Sequence, residues 1–135
     1  MSYRIEISFD LRKTKNISEM KKKIRDLALK NEKEICFFSY EMMGYGRTIN
    51  RNHVVSTLYF TEQTNIINFI KSIKKIPGIY IESIGIDNIK FILIYASKKY
   101  LNFMDKYKAK DYLKNRADLL NEYKNIINQI NTSKN

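Results

Sequence analysis

Two strand-forming runs, Ile35 to Met43 and Val54 to Phe60, flank nine residues, Gly44 to Asn52, that are rich in glycine, asparagine and arginine. Aromatic and β-branched runs bounded by turn formers predict a hairpin. A hairpin alone is marginal in water, so the flanking chain must supply its cover. At 135 residues there is room for one domain to do so.

Upstream, Tyr3, Ile5, Ile7, Phe9 and Leu11 alternate with Arg4, Glu6, Ser8 and Asp10. That period of two predicts a strand with one buried face. Asn16 followed by Glu19 suits the start of a helix whose inward stripe is Met20, Ile24, Leu27 and Ala28. Downstream of the hairpin, Thr61 is the expected N-cap of a second helix through Ile66, Ile67, Phe69, Ile70 and Ile73, ended by Pro77-Gly78. Two more strands, Ile79 to Ile86 and Ile89 to Tyr95, are joined by Asp87-Asn88, residues that tolerate a tight turn.

The first six elements in this order match the split βαβ, or ferredoxin-like, arrangement in the α+β class. The expected architecture is an antiparallel sheet of four or five strands with two helices on one face. Residues 1–97 form this domain. Residues 98–131 are read as a long C-terminal helix, with Leu113, Ala117, Leu120, Tyr123, Ile127 and Ile130 at helical spacing and a change of register near Lys108. Because Ile89 to Tyr95 is apolar on both faces, it is expected to pair with the first strand, and the C-terminal helix is expected to cover the second sheet face or pair with another copy.

Twenty-five Lys and Arg against 14 Asp and Glu leave a net charge of +11. The excess is spread through the chain, with +4 over residues 1–34, +2 over 35–97 and +5 over 98–135. Such a balance favours polyanionic partners, nucleic acid first and an acidic protein surface second. The longest apolar run, Phe91 to Ala96, is far short of a membrane span, and the N-terminus lacks the layout of a secretory signal, so an intracellular protein, cytoplasmic or nuclear, is expected. The single cysteine, Cys36, rules out an intrachain disulfide and a multi-cysteine zinc site. No cofactor or metal is expected.

The segment Gly44-Tyr45-Gly46-Arg47 through Arg51 and His53 is the leading candidate site. Turn amides can cup an anion, Arg47 and Arg51 can bind phosphate, Tyr45 can stack on a base and His53 can donate. Lys21, Lys22, Lys71, Lys74 and Lys75 on the two helices add a basic surface suited to phosphate backbones. Neither a dinucleotide-binding fingerprint nor a nucleotide P-loop is present, and the signature of aromatic RNA-binding sheets is lacking, although Tyr59 is placed for such a face. Asp10, Glu41, Glu82 and Asp87 are too scattered to define a catalytic pair. Three expectations follow: non-catalytic binding of nucleic acid; an assembly role with self-association through residues 98–130; and, last, a phosphate-ester enzyme acting at residues 44–53.

Overall fold

The computed structural model describes residues 2–10, 16–32, 36–43, 52–87, 89–97, 100–105 and 116–132. The elements are β1 (Tyr3–Asp10), α1 (Ile17–Leu29), β2 (Cys36–Met43), β3 (Asn52–Phe60), α2 (Gln63–Ile73), β4 (Ile79–Ile86), β5 (Ile89–Ser97), β6 (Tyr100–Asp105) and α3 (Ala117–Asn131). The class is α+β. One sheet runs β2-β3-β1-β4-β5-β6, and every neighbouring pair is antiparallel.

Alternation in β1 does what its period demands. Tyr3, Ile5, Ile7 and Phe9 are buried in one core with Val54, Leu58 and Phe60 of β3 and Ile81, Ile84 and Ile86 of β4. Ile24 and Ala28 of α1 and Ile66, Phe69, Ile70 and Ile73 of α2 close the same core. Asn16 is the N-cap of α1, its side chain accepting from the Glu19 amide at 3.1 Å. After Pro77, Gly78 turns the chain at φ +81°, and Asp87 takes φ +52° in the β4–β5 turn. Both angles lie in the left-handed region that glycine and aspartate adopt at low cost.

Four expectations are corrected. The sheet has six strands, not four or five, because Tyr100–Asp105 pairs with β5 instead of opening a helix. Residues 98–131 are therefore not one helix: Tyr100–Asp105 is strand, and α3 runs from Ala117 to Asn131. The partner of β1 is Ile79–Ile86, in the register Tyr3↔Ile86 to Phe9↔Ile79, not Ile89–Tyr95. The two-sided apolarity of β5 reflects an interior strand all the same, with β4 on one side and β6 on the other.

The fourth correction concerns α3. Its buried stripe is Leu119, Tyr123, Ile126, Ile127 and Ile130, while Ala117 is exposed and Leu120 half-buried. That stripe joins the core shared by α1 and α2, with α2 touching both other helices. All three helices thus lie on one face, and α3 does not cover the second face. The expected break near Lys108 and the contribution of Leu113 lie outside the described residues.

Candidate functional site

The topology sorts the polar chemistry between two ends of the sheet. Phe9, near the end of β1, pairs with Ile79 at the start of β4, and Asp10 pairs with His53 near the start of β3. Here α2 finishes and α1 begins, since each is joined to these strands by a short connection. Lys71, Lys74 and Lys75 belong to the last turn of α2 and the residues just after it, and Lys21 and Lys22 to the second turn of α1. Lys22 and Lys75 are exposed; Lys21, Lys71 and Lys74 are half-buried. Among the described residues, none of the five is held in an ion pair. Burial holds the Lys74 ammonium below the usual lysine value.

Met43 pairs with Asn52, so the strands flanking residues 44–51 also terminate at this end. Tyr45, Arg47 and Arg51 lie outside the described residues. His53 is placed by register opposite Asp10 and Met42.

Not every lysine here is equally available to an anion. An open groove of about 320 Å³ runs along α1 between Glu19, Lys22, Lys23, Asp26, Leu27 and Lys30. Its cations sit three or four residues from acids, the spacing that neutralises charge along a helix face. Lys71, Lys74 and Lys75 have no acid among their helical neighbours.

The opposite end, where β1 starts, gathers Glu32, Glu62, Asp87 and Glu122, while Asp10 and Glu19 lie at the lysine-bearing end. Glu32, buried after α1, accepts through Oε1 from the Thr61 amide at 2.7 Å, the Glu62 amide at 3.0 Å, the Thr61 hydroxyl at 3.1 Å and Asn65 Nδ2 at 3.3 Å. It caps α2 from outside the helix, where the helix dipole favours an anion. The expected cap, Thr61, is a donor instead, and the N-cap residue Glu62 makes no side-chain cap bond. Sequence reasoning missed Glu32 because it lies 29 residues from Thr61.

Five further hydrogen bonds tie this end together. The Tyr123 hydroxyl accepts from the Ile86 amide at 2.8 Å. Tyr3 donates to Glu122 at 3.2 Å, and Gln63 Nε2 donates to the same carboxylate. Asp87 accepts from the Ser2 amide and returns its own amide to the Ser2 carbonyl. Burial, followed by the Glu122 charge, pushes the Tyr3 phenol up to about 12, and burial raises Tyr123 as well.

The second sheet face carries Arg4, Glu6 and Ser8 on β1, with Tyr59 opposite Arg4 and Tyr80 opposite Ser8. Both tyrosines are more than a third exposed. A bulge at Glu82 lets Ser8 donate to its carboxylate. Arg4 Nε and Ser83 Oγ are buried without a hydrogen-bond partner among the described residues. Two carboxylates among these groups make the face a poor track for phosphates.

Among the described residues, no three His, Cys, Asp or Glu side chains converge as a metal site, and no helix is long and apolar enough to cross a membrane. Asp87 is spent on Ser2, and Glu82 on Ser8. No family model, no curated protein and no solved structure matches the chain.

Proposed function

We propose that the protein binds a polyanion without catalysis, nucleic acid before an acidic protein surface. The observation that carries this reading is the placement of Lys21, Lys22, Lys71, Lys74 and Lys75 at one end of the sheet, while Glu32, Glu62, Asp87 and Glu122 gather at the other. An extended anion approaching the first end meets cations with no competing carboxylate on α2. Ammonium groups on flexible stems bind phosphates as point charges without reading sequence. Arg47 and Arg51, borne by the segment between β2 and β3, add guanidinium contacts in this reading, with Tyr45 and His53 near them in sequence.

We also assign β1 to β4 with α1 and α2 to the ferredoxin-like arrangement. The order β2-β3-β1-β4 within the sheet supports it. That arrangement hosts many activities and adds nothing to the choice of ligand.

The test is fluorescence anisotropy of a labelled mixed-sequence single strand titrated with the protein at several salt concentrations. With five phosphate contacts, log K should fall against log salt with a slope of about −3.5, at about 0.7 per contact. Lys74→Ala with Lys75→Ala should reduce that slope by about 1.4. Absence of binding at low salt would end this reading.

A further inference from the structure

The two edges of the sheet differ. β6 is six residues long, its pairing with β5 shifts register between Tyr95 and Ser97, and it packs against α3. In sequence it is bracketed by Lys98-Lys99 and Lys106. Short length, irregular register, a covering helix and nearby lysines are the usual means by which an edge is kept from pairing with another chain.

Among the described residues β2 uses none of them. Its eight residues, Cys-Phe-Phe-Ser-Tyr-Glu-Met-Met, contain no lysine, arginine, proline or glycine. Its pairing with β3 runs from Cys36↔Tyr59 to Met43↔Asn52 without a shift. On its other side no strand follows among the described residues. A regular strand in that position presents a row of backbone donors and acceptors, and its sequence has the β-propensity and low charge that favour strand addition.

We infer that β2 pairs antiparallel with β2 of a second copy, forming a dimer with a continuous twelve-stranded sheet. Charge selects this occupant. Two chains of net charge +11 repel wherever their 25 cations face each other, but β2 and β3 together contain none. An antiparallel edge is self-complementary under a two-fold axis perpendicular to the sheet, so the contact is isologous and closes at two copies. The differing β6 edges remain outermost and do not extend the array. Antiparallel pairing also sends the two lysine-bearing ends in opposite directions. The inference is independent of the nucleic-acid reading.

Sedimentation velocity over a wide concentration range tests it, combined with hydrogen exchange read by mass spectrometry. Mass should rise to twice that of the single chain, and the amides of residues 36–43 should gain protection with concentration while those of 100–105 do not. Phe38→Lys and, separately, Tyr40→Lys should weaken dimerisation at least about tenfold by bringing like charges together at the shared edge. Circular dichroism reports whether each variant folds. If neither does, the concentration-dependent exchange of the unaltered protein decides. A chain that stays monomeric at all concentrations overturns the inference, as does a dimer whose protection falls on 100–105 instead of 36–43.

Discussion

The sheet's two ends are made by the same strands and helices and differ in how their charged residues are used. Where β1 starts, Glu32, Asp87 and Glu122 each accept hydrogen bonds from named donors, and the ends of α1, α2, α3, β3 and β4 are fastened there. Where β1 finishes, none of the five lysines of α1 and α2 is held in an ion pair among the described residues. Groups whose hydrogen bonds are made internally serve stability. Groups kept out of internal pairs are free to serve a ligand. Substitutions at the first end should therefore unfold the protein and leave binding of the folded fraction intact, and substitutions at the second should do the reverse.

Glu32→Ala should have the largest effect on stability. It deprives two amides, a hydroxyl and a carboxamide of one shared acceptor, and a hydrogen bond to a charged group contributes a net of about 1.5–3 kcal/mol. A loss of about 3 kcal/mol in urea unfolding is expected, with Glu32→Gln retaining part of it. An unchanged midpoint would break the comparison at its strongest point.

Tyr123→Phe comes next, at about 1–2 kcal/mol, because it strands the buried Ile86 amide. Alkaline pH attacks the same end. The folded Tyr3 phenol is raised from 10.0 to about 12, so its neutral form is the one that folding favours. Its contribution is complete below pH 10 and is lost as pH climbs from 10 to about 12; raised Tyr123 acts in the same direction. Tyrosinate absorbance and far-ultraviolet circular dichroism, followed together, should show the late-ionising phenols appearing with unfolding. Ionisation of Tyr3 in a chain that stays folded would contradict this. A smaller change of opposite sign is expected for Ser83→Ala, which removes a buried hydroxyl with no hydrogen-bond partner among the described residues and should leave stability unchanged or raised by up to about 1 kcal/mol.

These residues also mark where reading the sequence succeeds. The Asn16 cap, the α2 stripe from Ile66 to Ile73 and the β1 alternation were legible because each is local, a period or a cap within a few residues. Glu32 was not, since a carboxylate capping a helix 29 residues away leaves no local mark. Tyr100–Asp105 was misread because Leu101 and Met104 suit a helix face as well as a strand, and only pairing with β5 decides. In α3 the expected and buried stripes share Tyr123, Ile127 and Ile130 and differ by a fraction of a turn, with Leu119 and Ile126 buried in place of Ala117 and Leu120, a choice that falls to packing against α2. Of the candidate site, the lysine positions were legible but not their common end, which depends on the direction each helix takes across the sheet.

The smallest expected effect on stability sharpens the comparison most. Lys71→Ala, Lys74→Ala and Lys75→Ala combined should change unfolding free energy by no more than about 0.5 kcal/mol per site, the range for surface positions away from caps and cores. Lys74 is the one to watch: burial already lowers the pKa of its ammonium, so removing the charge also removes a desolvation penalty. The same triple variant should lower the salt slope of single-strand binding by about 2, at about 0.7 per lost phosphate contact. If the variant binds as before, the polyanion contact lies elsewhere than the end of α2. If it instead unfolds at far lower urea, the lysine-bearing end is structural too, and the division between a fastened end and a free one fails.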